Sequence, residues 1–386
     1  MDTIRKDGEY IANTYGRFPL LLTRGRGSLL YDEKGKEYID LGTGIAVNGF
    51  GVADSVWASA VTMQLNTLPH TSNLYYSAPC AELAEELCRR TGLKKVFFSN
   101  SGAEANECAI KVARKYAEDK GLTNAKIITL KNSFHGRTLA TLAATGQDAF
   151  HKDFLPLTPG FVSVDPDSPE ALEAAVAEGN VCAIMIEVVQ GEGGVLPLKP
   201  EFAAKAASLA EANDILLICD EVQIGNGRSG ALYGYMNYGL KPDIVTTAKG
   251  LGGGLPIGAT LLGEKVQNVF GHGDHGSTFG GNPVSCAGAI SILSRIDEAL
   301  LASVREKSAY VFSELEGASG VESVSGLGLM IGVKTVKSAG DVVRACMEKG
   351  VLCLTAKDKV RLLPALNIPM DVLRQAIDVL KAACAL

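Results

Sequence analysis

The chain has no long apolar run, no excess of positive charge and no paired cysteine motif. No apolar run approaches the roughly 20 residues that a membrane-spanning helix needs. The formal net charge of −6 argues against nucleic acid or an anionic membrane as the main partner. The amino terminus lacks the apolar core of a signal peptide, so we expect a cytoplasmic protein.

The nine cysteines form no Cys-x-x-Cys pair, and several of them lie in apolar stretches. Because their number is also odd, we interpret them as buried free thiols in a reducing compartment. The loop 271–276 carries two histidines between glycines but no further ligands. A polar loop explains it better than a metal site, so we expect no structural metal.

What the chain does have is enough apolar content for a large core, with 47% hydrophobic and 21% charged residues among 386. Its middle part alternates short apolar runs with helix-patterned stretches, which is typical of a parallel sheet with crossover helices. We therefore predict an α/β fold with a mostly parallel central sheet. The predicted strands are 95–98, 126–130, 182–186, 215–219, 243–247 and 257–262.

The two ends of the chain differ from the middle. Residues 28–41 predict a hairpin that turns at Gly35, and the carboxyl-terminal part mixes helix patterns with short strands. We predict a large α/β domain over 50–289. A smaller α+β domain is predicted from both ends together, over 1–49 and 290–386.

Lys249 ends a strand-like run and opens a glycine-rich turn. An amine at the mouth of a sheet, with no side chains crowding the next turn, suits a lysine that forms a covalent imine. Lysine acts in this way when a carbonyl cofactor such as pyridoxal phosphate needs an anchor and a movable base. Most lysines are solvated surface groups, so this interpretation depends on the residues that accompany Lys249.

Polar residues follow five successive predicted strands. In open parallel sheets, ligands bind just outside the carboxyl ends of the strands. The clusters are 99–106, 132–137, Glu187 with 190–193, 220–223 and Lys249. Each cluster alone is more often a capped helix start or a solvated loop. Together they predict one assembled site.

Individual residues of these clusters have two interpretations each. Gly102 and Ala103 open a helix where a phosphate could approach backbone N–H groups, or Ser101 simply caps that helix. Asp220 follows five apolar residues, so its carboxylate needs a partner, either a pyridinium nitrogen or an Arg or Lys side chain. Phe134 is either a core residue or a ring that stacks on a cofactor.

These motifs resemble those of the class III pyridoxal-phosphate aminotransferases, in the same order and from about Tyr15 to Arg361. The matching segments are 100–106, 134–137, 220–223, 249–254 and 277–283. Within the class they are most similar to the acetylornithine aminotransferases. The segments that carry this closer similarity are 15–19, 44–48 and 72–76.

The resemblance implies a fold type I homodimer with active sites at the subunit interface and pyridoxal 5'-phosphate as cofactor. It implies Lys249 as the Schiff-base lysine, Asp220 on the pyridine nitrogen and Phe134 stacked on the ring. Gln223 would lie near the ring hydroxyl. The implied cofactor-binding set is Gly102, Ala103, Phe134, Asp220, Glu221, Val222, Gln223, Lys249 and Thr278.

For the substrate, the resemblance implies a site with two modes. Arg137 and Arg361 would clamp carboxylates, which suits guanidinium because its fork pairs bidentately with them. Glu192 resembles the acid that pairs with the second arginine when the substrate has no carboxylate there. Thr278, with Ser277 beside it, would reach the phosphate or substrate of the neighbouring subunit. The implied substrate-binding set is Arg137, Ser277, Arg361, Glu192 and Tyr15.

The implied reaction moves the terminal amino group of N-acetylornithine to 2-oxoglutarate, a step of arginine biosynthesis, with the freed Lys249 amine moving the proton. Ornithine aminotransferases tend to carry Tyr where this chain has Gly44, and the smaller residue leaves room for an acylated α-amino group. Ornithine, succinylornithine, succinyldiaminopimelate and 4-aminobutyrate stay open as donors, because an acyl group or methylene discriminates by only about 1–3 kcal/mol. The sequence also leaves open an aminomutase, a nucleotide-binding module with a phosphate loop over 250–254, and an inactive cofactor-holding dimer.

Overall fold

A seven-stranded sheet forms the centre of the computed structural model, which describes residues 2–385. In spatial order its strands are Lys95–Ser99, Gly258–Leu262, Ile244–Thr247, Leu216–Asp220, Val181–Ile186, Lys126–Leu130 and Phe161–Val164. The two pairings made by Gly258–Leu262 are antiparallel, and the other four are parallel. The mostly parallel sheet predicted from the sequence is confirmed.

All six strands predicted from apolar runs are present, and each lies within one residue of its predicted bounds. Val181–Ile186 and Leu216–Asp220 are buried at every position, because helices cover both faces of a parallel sheet. The strand Phe161–Val164 was not predicted. It lies at the edge of the sheet and exposes Ser163, so it lacks the continuous apolar run of a central strand.

Alternate side chains of the central strands enter two separate apolar clusters, one on each face of the sheet. Met185 and Leu216 pack in the cluster that contains the apolar side of the helix Gly102–Asp119. Ile184 and Leu217 pack in the other cluster, with the helix Pro200–Ala212. This three-layer arrangement directs the loops that follow the strands to one edge of the sheet.

Eleven helices of six or more residues occur between residues 2 and 385. They are Thr3–Tyr10, Ser55–Thr67, Ala78–Thr91, Gly102–Asp119, Leu139–Ala144, Pro169–Ala177, Pro200–Ala212, Pro283–Leu293, Glu298–Leu315, Ala339–Glu348 and Met370–Ala385. None of these helices combines the length and the apolar character that a membrane span requires. The cytoplasmic location stays a prediction.

Three smaller sheets complete the fold. The first contains Leu22–Arg26, Leu29–Asp32, Glu37–Asp40 and Val351–Leu352; the second contains Val321–Leu327, Met330–Thr335, Lys359–Leu362 and Leu354–Ala356; the third pairs Val189–Gln190 with Leu196–Pro197. The predicted hairpin is confirmed, and its turn places Gly35 at a φ of 82°, which favours glycine.

The first of these sheets joins the two ends of the chain. Glu37–Asp40 pairs in parallel with Val351–Leu352, so amino-terminal and carboxyl-terminal segments share one sheet. This pairing agrees with a small domain built from both ends. The bounds 1–49, 50–289 and 290–386 stay a prediction.

Candidate active site

A cavity of about 450 Å³ lies at the carboxyl ends of the central strands. Its lining includes Gly102, Ala103, Phe134, Arg137, Glu187, Asp220, Val222, Gln223 and Lys249. These residues come from the loops that follow five different strands of the sheet. The structure therefore brings together the polar clusters that the sequence placed after successive strands.

Asp220 lies deep in this cavity, with 4% of the residue exposed. Its Oδ2 atom accepts hydrogen bonds from Asn106 Nδ2 and His135 Nδ1, each at 2.8 Å, and its Oδ1 atom accepts one from Val222 N at 3.0 Å. Asn106 is fixed in turn, because its Oδ1 accepts a hydrogen bond from Thr246 Oγ1 at 2.7 Å. The partners of the carboxylate are thus an amide, an imidazole and a backbone N–H, rather than an Arg or Lys.

Lys249 occupies a strained turn at the mouth of the sheet. Its φ of 46° lies in the left-handed region, which non-glycine residues adopt at a cost of about 1–3 kcal/mol and often at functional sites. Asn226 holds the preceding residues, since its Nδ2 atom donates to Thr247 Oγ1 at 2.9 Å and to Ala248 O at 3.2 Å. Burial lowers the pKa of the Lys249 amine, although Glu192 and Asp220 oppose the shift. A larger fraction of neutral, nucleophilic amine follows.

Phe134 lies on the cavity wall, and a buried acid holds its backbone. Glu187 Oε1 accepts a hydrogen bond from Phe134 N at 2.7 Å. Burial raises the pKa of Glu187 well above its usual value, and the nearby Asp220 charge raises it further. Arg137 also lines the cavity and is exposed; its guanidinium carbon lies 4.0 Å from the centroid of the Phe150 ring and 5.4 Å from that of the Phe134 ring.

Glu187 and His135 were named in the sequence clusters but received no role there. Their signal was position alone, since Glu187 directly follows a fully buried strand and His135 follows Phe134. Which atoms they contact depends on tertiary packing, and no sequence pattern encodes that.

Arg361 and Glu192 do not line the cavity, but hydrogen bonds connect both of them to Gln223, which does. Arg361 Nη1 donates to Glu192 Oε1 at 2.6 Å and to Gln223 Oε1 at 3.0 Å. Among the described residues, Arg361 Nε has no hydrogen-bond partner. Burial alone would raise the pKa of Glu192, but the charge and hydrogen bond of Arg361 outweigh it and hold that pKa below its usual value. One N–H of the buried guanidinium is therefore unpaired among the described residues.

The start of the helix Gly102–Asp119 is packed against the cavity wall. Ser101 Oγ accepts a hydrogen bond from Glu104 N at 3.2 Å, and Glu104 Oε2 accepts one from Asn100 N at 3.0 Å. A Cβ atom added at Gly102 would lie only 2.6 Å from a methyl carbon of Val222. Residue 102 therefore has no room for a side chain, and the first N–H groups of this helix lie at the cavity wall, where an anion could approach them.

Glu221 and Tyr15 do not line the cavity. The Glu221 carboxylate is fully buried on another side, where it accepts hydrogen bonds from Gly234 N at 2.6 Å and Tyr235 N at 2.7 Å. Burial raises the pKa of Glu221 to about 8. Tyr15 is exposed, and the Arg17 guanidinium lies 5.2 Å from its ring centroid.

Ser277 and Thr278 also lie outside this cavity. Ser277 Oγ accepts a hydrogen bond from Asn100 Nδ2 at 3.1 Å, beside the helix start. Thr278 is exposed and lines a separate cavity of about 300 Å³ together with Asn73 and Tyr76. Within one chain, neither hydroxyl reaches the space between Lys249 and Asp220.

The residues of the cavity fit a phosphorylated pyridine aldehyde. Lys249 offers an amine to a carbonyl, and Asp220 offers a buried carboxylate to a protonated ring nitrogen. The side-chain-free helix start at Gly102 fits a phosphate, and Phe134 offers an aromatic face. The four features suit different parts of one molecule and lie in one cavity.

Comparison with known proteins gives consistent matches over nearly the full chain. The model of the family described as Aminotransferase class-III matches residues 10–384. The acetylornithine aminotransferase of Haemophilus ducreyi is 51% identical over 377 residues, which cover 97% of this chain and 96% of that protein.

Two solved structures show the same fold. The N-acetylornithine aminotransferase of Stenotrophomonas maltophilia has a TM-score of 0.86 at 36% identity, covering 99% of this chain and 98% of that chain. An ornithine aminotransferase from Toxoplasma gondii has a TM-score of 0.94 at 31% identity, covering 99% of this chain and 93% of that chain. That structure has partial occupancy of pyridoxal phosphate at its active site.

Proposed function

The chain belongs to the class-III aminotransferase family, and we propose that it moves the terminal amino group of N2-acetyl-L-ornithine to 2-oxoglutarate. The products are N-acetyl-L-glutamate 5-semialdehyde and L-glutamate. Relatives named acetylornithine aminotransferases are 41–51% identical to this chain over almost its whole length. Pyridoxal phosphate is the cofactor, as in class III aminotransferases, and when bound it supplies the carbonyl that takes up the amino group and the ring that withdraws electrons from the substrate carbon.

One geometric observation supports this reaction best. Lys249 and Asp220 line the same cavity, and Gln223 connects that cavity to the ion pair between Arg361 and Glu192. An amine, a buried carboxylate and a switchable carboxylate-binding guanidinium are what transfer between an amine and a dicarboxylic keto acid requires.

Lys249 acts as the acid–base group. Because burial lowers the pKa of its amine, Nζ is neutral more often than that of a surface lysine and can accept a proton from the substrate carbon. The same Nζ atom, once protonated, can return the proton to the carbon on the other side of the transferring nitrogen. The left-handed turn at Lys249 and the Asn226 hydrogen bonds before it fix the backbone position from which the Lys249 side chain extends.

Asp220 holds a positive charge at the deep end of the cavity. Asn106 and His135 orient its carboxylate, and burial among polar partners keeps water away from it. A buried carboxylate favours protonation of a ring nitrogen beside it. Asp220 would therefore keep that nitrogen positively charged, and the positive ring would stabilise negative charge at the substrate carbon.

Arg361 and Glu192 distinguish the two substrates of the cycle. A dicarboxylic keto acid can displace Glu192 and pair with the guanidinium, because a carboxylate ligand matches the Arg fork. The transferring end of N-acetylornithine carries an amine instead, so Glu192 stays on Arg361 and neutralises it. Arg137, exposed at the cavity lining, is then the group that binds the second carboxylate of 2-oxoglutarate and the one carboxylate of N-acetylornithine.

Gly44 favours an acylated donor. It lies at a φ of 63° in a turn that lines an apolar cavity of about 500 Å³ with Ile45 and Leu354. Val47, three residues later, lines the Lys249 cavity, so this turn borders both spaces. A large side chain at residue 44 would narrow the space beside this turn, in which we propose that the acetylated α-amino group lies.

A homodimer completes the site. Large apolar side chains are exposed along the segment 56–76, whose exposed side chains we name the 56–76 surface: Val56, Met63, Leu65, Leu68, Leu74, Tyr75 and Tyr76. The exposed Phe279 ring lies 5.1 Å from the ring of His70 in this segment. Clusters of exposed large apolar side chains often mark a surface that a partner covers. Asn73 Nδ2 donates to Ser277 O and Gly280 O, both at 2.9 Å, so Thr278 belongs to this surface. A second copy covering it brings Thr278 to the partner's cavity.

The test of the reaction is a comparison of donor amines. Glutamate formation from 2-oxoglutarate is measured with N-acetylornithine, ornithine, succinylornithine, succinyldiaminopimelate and 4-aminobutyrate. We expect N-acetylornithine to give the highest kcat/KM, by a factor of about 10 or more over ornithine. A higher value for another amine would keep the chemistry and change the substrate, whereas no glutamate from any donor would refute the proposed function.

A further inference from the structure

Three distant segments of the chain meet at the buried guanidinium of Arg228. Arg228 Nη1 donates to Leu329 O at 3.1 Å and also to Pro364 O. Arg228 O in turn accepts a hydrogen bond from Leu329 N at 2.9 Å. Leu329 immediately precedes the strand Met330–Thr335, and Pro364 follows the strand Lys359–Leu362. One side chain therefore ties the ends of two strands to the loop that follows Asp220.

Thr43 makes a second connection of this kind, from the amino-terminal segment. Thr43 Oγ1 donates to Leu363 O at 2.6 Å, and Asp40 Oδ1 accepts hydrogen bonds from Gly42 N and Thr43 N, both at 2.8 Å. Thr43, Ile45 and Ala46 have φ values of 47°, 65° and 61°, so this turn is left-handed at three non-glycine residues. Such strain persists only where surrounding contacts impose it.

Both connections end beside Arg361. The strands Met330–Thr335 and Lys359–Leu362 are paired, with Gly332 opposite Arg361. The carbonyls that Arg228 and Thr43 bind therefore lie at the ends of the strand pair that carries the guanidinium. A shift of these strand ends moves Arg361.

The segments that carry Arg228 and Thr43 also contact the Lys249 turn. Asn226, two residues before Arg228, donates to Ala248 O at 3.2 Å, next to Lys249. On the Thr43 side, Ala46 O lies 3.3 Å from where a Cβ atom on Gly250 would be. The loop of Arg228 and the turn of Thr43 thus contact the lysine turn directly.

We propose that Arg228 and Thr43 are positioning residues that fix the Arg361 guanidinium relative to the Lys249 amine. A dicarboxylate bound by Arg361 then presents its carbonyl carbon to the lysine at the correct distance. The inference rests on the proposed function only in assigning Arg361 to the keto-acid carboxylate. A displacement of about 1 Å of such a group can cost about a hundredfold in rate.

The test uses the holoprotein and two substitutions, Arg228→Lys and Thr43→Val. Lysine keeps the charge but lacks the planar guanidinium, whose Nη1 atom directs its N–H bonds at both carbonyls. Valine keeps the branched shape of Thr43 and removes its hydroxyl. Thr43→Ser is the rescue variant, and Thr335→Val is the matched control, because Thr335 Oγ1 bonds Lys337 O at 2.8 Å, at the other end of the strand that follows Leu329.

The primary readout is the Kd for glutarate, an unreactive dicarboxylate, by titration calorimetry. Cofactor affinity is followed separately from the fluorescence of Trp57, the one tryptophan of the chain. Trp57 Nε1 donates to Gly252 O at 2.9 Å, so its indole reports on the lysine turn. For each variant, KM for 2-oxoglutarate and the single-turnover rate with N-acetylornithine are measured as well.

We expect Arg228→Lys and Thr43→Val to weaken glutarate binding about tenfold, which corresponds to about 1.4 kcal/mol. KM for 2-oxoglutarate rises by a similar factor, while cofactor affinity and the N-acetylornithine half-reaction change by less than about twofold. Thr43→Ser and Thr335→Val bind glutarate as the wild type does. Unchanged glutarate affinity in Thr43→Val, or equal slowing of both half-reactions, would overturn the proposal.

The outcomes separate this inference from the proposed function. If Arg228→Lys does not fold, the three threonine variants decide the question. If the wild type forms no glutamate from any donor, the proposed function fails. The glutarate titration still tests whether Arg228 and Thr43 position a carboxylate-binding Arg361.

Discussion

Arg361 donates a hydrogen bond to Glu192 across 2.6 Å, and the two partners are unequally buried: 4% of the Arg361 side chain is exposed, compared with 30% of the Glu192 side chain. Opening this pair therefore moves the carboxylate, because the guanidinium lies in packed surroundings and the acid borders solvent. Glu192 is the movable half of the switch, and Arg361 is the fixed half.

Glu192→Gln should change the two half-reactions in opposite directions. Without the carboxylate, Arg361 is free for 2-oxoglutarate, and we expect its KM to fall about threefold to tenfold. With N-acetylornithine, the unpaired buried charge should lower kcat/KM about tenfold. Steady-state kinetics with each substrate varied in turn is the measurement. A change in the same direction for both substrates would contradict the switch.

The same ion pair should make stability depend on pH on the acid side. The pKa of Glu192 is held below its usual value, so the pair contributes stability above the unfolded-state pKa of about 4.3, and this contribution is lost as pH falls through the folded-state pKa. Urea unfolding of the wild type and Glu192→Gln between about pH 3 and 7 measures it. We expect the difference in unfolding free energy to shrink as pH falls below about 4. A constant difference would show that the carboxylate charge has no role.

Gly102→Ala should weaken cofactor binding. The added methyl group would lie 2.6 Å from Val222, so either the helix start or the cavity wall must move. We expect the Kd for pyridoxal phosphate, followed by Trp57 fluorescence, to rise about tenfold or more. Gly340→Ala is the control, because it also places alanine in a helix but its Cβ meets nothing closer than 3.5 Å. Equal affinities in the two variants would refute a phosphate site at residue 102.

Mixing two inactive variants should restore activity if the dimer shares its sites. Lys249→Ala removes the amine of a chain's own cavity, and Thr278→Ala removes the hydroxyl that it offers to its partner. A mixed dimer has one site with both groups, so a fully exchanged equal mixture should regain about a quarter of wild-type activity. Activity no higher than the average of the two separate variants would place Thr278 outside the partner's site.

The strands and the site edge could be predicted from the sequence, because buried strands leave continuous apolar runs and polar residues at their ends. Phe161–Val164 could not be found in this way, since an edge strand with one solvated face has no such run.

Asp220 and Glu221 show the limit of motif-based assignment. Both were expected to bind the cofactor, yet Asp220 faces the cavity and Glu221 faces the backbone of Gly234 and Tyr235. Successive side chains at the end of a strand point in opposite directions, so this alternation could have separated the two acids. Two partners of Asp220, Asn106 and His135, come in contrast from a distant helix and loop, and only the packed fold shows them.

The most direct test of the central claim concerns Lys249. The visible absorption band of the pure holoprotein is followed after rapid mixing with N-acetylornithine in the absence of any keto acid, for the wild type and for Lys249→Ala. We predict that the wild-type band decays in a single turnover and that the variant, still binding the cofactor, is slower by a factor of about 10³ or more. Decay at the same rate in both proteins would show that Lys249 is not the group that moves the proton.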